Sequence, residues 1–488
     1  MIKKLIYKTI TNPIFISLLL LTIYVIIAAF LPMNNDEGIW SYIGRVWSQH
    51  GIPPYNGTVE NKTPGIFELY ALSYSLFSVN YIIIRLLGIV TLILNSLVIY
   101  FIGKKILNHI GGVFSMYIFG LTMSWNLLAG GFTSSTETFM ILFSSLAFYF
   151  TLKGKDSGNW RYWLILAGIS IGISIAFKQI ALSSAFSLLV IFLFAYTNLS
   201  SQNKFHGLFL ICLGIFVSTI LSIIPLLLSG VSFYEYIDGA WLILLNSGSS
   251  ASLPLRVNGF VTIWFFSRIV IFYPVLFLLF FQKELFKNNL FIGLLIWFAF
   301  DFVGVNSSGF YYGHQIKQLL PSFSIIIGIL LSNQLDAIKS IKLSSIKYIS
   351  IIIILFIIVL LPEKESLKNG YYKSNNLSMD YSKEIGVWLR NNSKNNDRIY
   401  ITGSQGNAIL YYSERESSSK YFNSIFITSD IERNKVLSDL KINHPVYILK
   451  PDINLEINPN LGRNIDDFIV RNYIFLEKKY NYDIFKEN

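Results

Sequence analysis

Long apolar runs, such as residues 14–31 and 349–361, constrain this chain more than any other feature. A hydrocarbon core about 30 Å thick takes roughly 20 apolar residues as a helix. Inside it every backbone N–H and C=O has to be satisfied within the segment. Charged residues make up only 14% of the chain, against about 25% in soluble domains, and the mean hydropathy is +0.53. These runs exclude a secreted enzyme and a disordered chain. Cys212, the only cysteine, excludes a disulfide scaffold. The expected fold class is a polytopic α-helical membrane protein.

Eleven spans are expected, at about 14–32, 82–102, 111–130, 136–152, 162–177, 180–196, 208–228, 262–281, 290–306, 317–333 and 347–361. The 162–196 pair is barely interrupted. Residues 66–79 are apolar but short and Gly/Pro-led, and read as a re-entrant or interfacial helix. The first span exceeds the 7–15 apolar residues of a signal peptide and lacks an A-x-A-like site, so cleavage near Ala28–Ala29 is the lesser alternative. Residues 362–488 change abruptly to a charged, Asn/Ser/Lys-rich composition. They read as a small extracytoplasmic α/β domain, with a helix at 383–390, strands at 399–402 and 446–449, and a helix or strand at 465–473. The expected domains are therefore 1–361 and 362–488.

The net charge of +11 resolves by position. Up to residue 361 there are 21 basic and 11 acidic residues; beyond it, 18 and 17. With the N-terminus cytoplasmic, inner segments collect Lys3, Lys4, Lys8, Lys104, Lys105, Lys153, Lys155, Arg161, Lys204, Lys283, Lys287, Lys339, Lys342 and Lys347. This positive-inside pattern places the tail outside, in the plasma (inner) membrane of a multi-pass protein. It also removes the case for nucleic acid.

Seven basic residues, Arg45, Lys62, Arg85, Lys178, Arg256, Arg268 and Lys317, fall on the outer side against that bias. Charges near mid-membrane face a cavity or a partner, or snorkel to the headgroups. An anionic ligand such as a lipid phosphate gives all seven a shared reason. Eight acids share their side: Asp36, Glu37, Glu60, Glu68, Glu137, Glu235, Asp238 and Asp301. Asp301 and Arg268 lie at similar depth and are expected to form a buried ion pair, since either one alone is costly. Asp36 and Glu37 are adjacent, so their side chains diverge. Behind them Ile39, Tyr42, Ile43, Val46 and Trp47 follow helical spacing, the pattern of an amphipathic helix at the outer interface, ended by Gly51-Ile52-Pro53-Pro54-Tyr55. The five histidines show no metal-ligand spacing. Asp36, Glu37 and Glu137 carry oxygens able to hold a divalent ion, and no cofactor is otherwise expected.

At these residues the chain resembles a known family. Asp36-Glu37-Gly38, then Gly51-Ile52-Pro53-Pro54-Tyr55, then Asn61-Lys62-Thr63-Pro64-Gly65-Ile66 resemble the first outer loop of polyprenyl-phosphate-dependent GT-C glycosyltransferases. These include protein O-mannosyltransferases and lipid A aminoarabinose transferases. Thr63 stands where the family's turn carries its first proline. Arg85-Leu86-Leu87-Gly88, Thr136-Glu137-Thr138-Phe139, Phe177-Lys178-Gln179 and Tyr312-Gly313-His314-Gln315 through Leu319-Leu320-Pro321 resemble later elements in the family's order. In the tail, Arg398–Gly403 and Ala408–Tyr412 resemble the strand and helix that open the outer domain of some members.

The resemblance implies an inverting transfer of a sugar from a polyprenyl-phosphate donor to an acceptor hydroxyl on a lipid, glycan or protein. It implies Asp36 as the base, Lys62 as first ligand of the donor phosphate, and Arg268, Lys178 and Arg85 behind it. Glu137 is placed at the site to orient the acceptor or Lys178. His314, Lys317 and Glu37 are placed at the cavity, with Glu37 serving loop structure. The rival readings are an oligosaccharide ligase or polymerase on pyrophosphate-linked lipids, a secondary transporter, for which inverted repeats are missing, and an inactive scaffold. The Ser404-Gln405-Gly406 turn lacks the further glycines and lysine of a phosphate loop, and reads as a plain turn.

Overall fold

The computed structural model of the chain describes residues 33–123, 133–244, 252–338, 381–404, 406–451 and 463–488, with isolated positions 12, 15 and 19. The expected spans 14–32 and 347–361 otherwise lie outside the described residues. So do the 361/362 boundary, Gln405, the cleavage alternative at Ala28–Ala29, and Lys3, Lys4, Lys8, Lys339, Lys342 and Lys347.

In chain order the longer helices are α1 (Asn35–His50), α2 (Gly65–Leu76), α3 (Tyr81–Ile106), α4 (His109–Met123), α5 (Thr136–Lys155), α6 (Trp160–Phe177), α7 (Leu182–Ala195), α8 (Ser201–Leu221), α9 (Leu253–Phe265), α10 (Asn289–Ser307) and α11 (Leu320–Ile338). The tail carries α12 (Ser382–Asn392), α13 (Ala408–Ser413), α14 (Asp430–Asn443) and α15 (Arg463–Asn472). Its strands are β1 (Arg398–Ile401), β2 (Glu416–Ser417), β3 (Tyr447–Pro451), β4 (Tyr473–Lys479) and β5 (Tyr482–Glu487). The chain divides into two compact units, 1–30, 85–222 and 245–367 in the first, and 31–84, 223–244 and 368–488 in the second.

The first unit is a bundle of apolar helices. Among the described residues, four helices are long and apolar enough to cross a membrane: α3, α6, α10 and the stretch Ser201–Leu228 that contains α8. The expected continuous span at 262–281 is broken. Leu253–Phe265 and Arg268–Phe281 meet at 43°, because Ser267 stands in an extended conformation between them and caps the second segment. The barely interrupted pair at 162–196 parts at Lys178, whose backbone is extended between α6 and the turn Gln179–Ala181. Small residues bring the helices together, as is usual where burial in lipid supplies no hydrophobic drive. A Cβ on Gly168 would lie 2.3 Å from the Ile211 carbonyl, joining α6 to α8. A Cβ on Gly328 would lie 2.3 Å from the Ser115 amide, joining α11 to α4.

In the second unit the tail strands form one sheet in the order β2-β1-β3-β5-β4, parallel through β2, β1 and β3 and antiparallel at β3–β5–β4. Tyr400, Ile427, Val436, Leu440, Ile448, Ile465 and Ile469 fill its core. The same compact unit contains α1. The expectation that α1 lies along the bilayer surface through one apolar face is overturned: all of Glu37–Val46 is buried, with α2 and α13 packed against it. Arg45, 1% exposed, donates to the carbonyls of Leu410 and Arg415 (3.4 and 2.8 Å). The Ser417 amide donates to Tyr42 Oη at 2.8 Å. An outward-pointing basic residue in the sequence is thus an internal strut, and the loop and the tail fold together.

Candidate functional site

In the second unit, α1 begins on a capping box. Asn34 Oδ1 accepts from the Glu37 amide at 2.7 Å, and Glu37 Oε2 accepts from the Asn34 amide at 3.2 Å. This satisfies two of the orphan amides of a helix start and commits Glu37, 2% exposed, to the cap. Asn35 reaches into the tail, donating to the Ser404 carbonyl at 3.1 Å. Asp36 stands between them, half-buried, and no hydrogen bond or ion pair engages its carboxylate among the described residues. The local fold therefore consumes both neighbouring side chains and leaves one carboxylate at a helix N-terminus, where negative charge is favoured.

Lys62 follows in the turn before α2. Its ammonium donates to Asn61 Oδ1 at 2.5 Å and to Glu60 Oε1 at 3.3 Å, and its side chain keeps 21% exposure. Glu60 is buried and also accepts from the Asn61 amide at 2.9 Å. Tyr55 holds the turn from beneath, its hydroxyl donating to the Lys62 carbonyl at 2.5 Å. Its backbone lies in the left-handed region at φ 69°, and its ring packs edge-on against Phe67 and Tyr236. Behind it sits Glu68 on α2. Its Oε1 is wholly buried without a hydrogen-bond partner, and burial pushes its carboxyl up to about 8.

Neither Glu60 nor Glu68 carries a role in the sequence reading. Glu60 has a weak signal, an acid two positions before the candidate phosphate lysine; Glu68 has none beyond being an acid in an apolar helix. A carboxyl raised by burial binds its proton in the folded state over a range where the unfolded chain has released it. Its contribution is complete below the unfolded value near 4.5 and is lost as pH rises through about 8. Thermal unfolding of detergent-solubilised protein is expected to fall across that window, and Glu68→Gln to flatten the profile.

In the first unit, Glu137 opens α5 and is 1% exposed. Its Oε1 forms an ion pair with the Lys178 ammonium, Thr136 Oγ1 donates to its Oε2 at 3.0 Å, and His314 Nε2 lies 3.7 Å from Oε1. The helix break that exposes Lys178 is what lets it reach α5. His314 stacks on Tyr312, which stacks on Phe310, with centroids 5.9 and 5.8 Å apart. Lys317, placed by the sequence at the cavity, is fully buried instead. It donates to the Thr133 carbonyl, Ser135 Oγ and Thr138 Oγ1, each at 3.0 Å, and so ties the loop before α5 to the turn Gly313–Gln318. Arg85 is buried near the start of α3. Arg268 is half-buried at the helix break.

The expected Asp301–Arg268 pair is not formed. Asp301 Oδ1 accepts from Ser184 Oγ (2.6 Å), Gln318 Nε2 (3.0 Å) and Ser183 Oγ (3.3 Å), which ties α10 to α7 through neutral donors. No group of three or more His, Cys, Asp or Glu gathers to hold a metal ion among the described residues. Glu37 is spent on its cap and Glu137 on Lys178.

This helical architecture is the GT-C fold, shared with the solved structures of ArnT and an archaeal oligosaccharyltransferase. Residues 61–222 match the dolichyl-phosphate-mannose-protein mannosyltransferase family. The chain is similar to ArnT from Cupriavidus metallidurans bound to undecaprenyl phosphate, with TM-score 0.56 at 13% identity over 96% of this chain and 97% of that one. It is also similar to the Archaeoglobus fulgidus oligosaccharyltransferase in its apo form, with TM-score 0.56 at 11% identity over 89% of this chain and 69% of that one. The same archaeal enzyme, AglB, in complex with an inhibitory peptide and a dolichol-phosphate, matches with TM-score 0.53 at 12% identity over the same shares. No curated protein matches the chain in sequence.

Proposed function

We propose that the chain is an inverting glycosyltransferase that moves a sugar from a polyprenyl-phosphate donor to an acceptor hydroxyl at the outer face of the membrane. The observation that carries this reading is the carboxylate of Asp36, which no hydrogen bond or ion pair engages among the described residues while both flanking side chains are bound. The acceptor O–H gives its proton to Asp36 as its oxygen bonds to C1 of the sugar. The C1–O bond breaks with its electron pair on the phosphate oxygen, releasing polyprenyl phosphate. The departing group is already a phosphate oxygen, so cations rather than an acid have to hold it.

Lys62 is the first candidate for that task, with Arg268, Lys178 and Arg85 behind it. Glu60 holds the Lys62 ammonium in place from one side, and the remaining exposure leaves room for a phosphate oxygen on the other. Glu137 acts through Lys178, which it orients. The N-terminus is cytoplasmic and the tail extracytoplasmic in this reading, which the positive-inside bias of the basic residues supports. Purified protein given a labelled polyprenyl-monophosphate sugar, with a pyrophosphate-linked donor in parallel and uptake into liposomes as control, tests it. Transfer from the monophosphate donor alone is expected. Transfer only from the pyrophosphate donor, or uptake without transfer, overturns it.

A further inference from the structure

The start of α1 is held by a part of the chain some 370 positions away in sequence. The Asn35 amide plugs into the turn before α13: its Nδ2 donates to the Ser404 carbonyl at 3.1 Å, and its Oδ1 accepts from both the Asn407 backbone amide and Asn407 Nδ2, each at 3.1 Å. Asn407 Nδ2 also donates to the Ser404 carbonyl at 3.1 Å, closing the turn on itself. Asn407 is fully buried. One turn along α1, a Cβ on Gly38 would lie 2.6 Å from the Ala408 amide nitrogen, so only glycine lets the two backbones come this close. Gly406 adopts φ 80° in the same turn, and with Met33, Asn35, Ser382 and Ala408 it lines a small recess there.

We propose that Asn35 and Asn407 form a clasp that positions Asp36, so that the tail acts on the reaction through the helix that bears the base. The inference rests on the reading of Asp36 as that base. Three hydrogen bonds fix the residue before Asp36, the capping box fixes the residue after it, and the Gly38–Ala408 approach fixes the helix axis. Asp36 then has a defined direction without any contact to its own carboxylate, which stays available for the acceptor proton. Clasp residues are positioning residues, not catalytic ones: they touch neither donor nor acceptor in this scheme. Misplacing a reacting group by about 1 Å costs up to roughly 100-fold in rate, so loosening the clasp reads in kcat rather than in donor affinity.

The test is a double-mutant cycle in the full-length protein, assayed for transfer from a labelled polyprenyl-monophosphate sugar and for donor binding. Asn35→Ala removes all three bonds and is expected to lower kcat about 10- to 100-fold, with donor KM and binding within about twofold. Asn407→Ala keeps its backbone donor to Asn35, so its loss is smaller. It stays informative if Asn35→Ala fails to fold. Combining the two is expected to give no more loss than Asn35→Ala alone, since both act through one contact. Multiplicative losses, unchanged kcat, or a loss confined to donor KM overturn the clasp. Asp36→Asn separates this failure from that of the reading beneath it. An inactive Asp36→Asn beside a fully active Asn35→Ala removes only the clasp, whereas an active Asp36→Asn removes the base and the clasp with it.

Discussion

Asp36→Asn is expected to give a well-expressed, donor-binding protein whose kcat falls about 10²- to 10⁴-fold, the range that a positioned general base contributes. The substitution is nearly isosteric, and the Asp36 side chain makes no hydrogen bond or ion pair among the described residues that its loss would break. The two adjacent acids thus separate cleanly by measurement. Glu37→Ala removes half of a capping box and is expected to show in the melting temperature, by roughly 1 kcal/mol. Steady-state transfer assays with donor KM measured alongside check the first expectation. Substantial turnover by Asp36→Asn places the base elsewhere.

The separation of those two carboxylates was half legible. Adjacency on a helix forces the side chains apart, and the loop role of Glu37 follows once Asn34 is seen three positions before it. What the sequence withholds is the partner of Asn35, because Asn407 lies hundreds of positions away and no periodicity links them. The same distance hides the fate of Arg45. Counted among seven outer cations, it suggests an anion, but its guanidinium serves carbonyls at positions 410 and 415. Lys317 is similar: its three oxygens come from the loop before α5 and from the first turn of α5, some 180 positions earlier. Cations that share a side of the membrane do not for that reason share a ligand.

The four helices long and apolar enough to span among the described residues were readable because lipid leaves a chain few alternatives to a long apolar helix. The breaks between helices were less so. Lys178 and Ser267 interrupt apolar runs without Gly or Pro at the break itself, and only the capping geometry shows that the helix stops there. In the tail, α12, β1 and β3 fall where alternation and amphipathicity put them. Helix α14 escapes, since it buries only Val436 and Leu440 in 14 residues. Strands β4 and β5 escape because charged residues interleave their apolar ones, and β4 lies at the edge of the sheet.

Neutralising one side of the Glu137–Lys178 pair is expected to destabilise the protein by about 3–5 kcal/mol, the usual consequence of stranding a buried charge. Glu137 is 1% exposed and Lys178 12%, so water replaces neither partner. Glu137→Gln and Lys178→Met are each expected to lower the thermal unfolding temperature sharply. The double substitution is expected to recover much of the loss, because a neutral pair of similar size strands nothing. Transfer activity answers a different question from stability. If Lys178 also grips the donor phosphate, the double variant regains its unfolding temperature and not its activity, and the donor KM rises. If the pair is purely a brace between α5 and the break after α6, both return together. Equal losses in the singles and the double, with no recovery of the unfolding temperature, remove the pairing itself as the source of stability.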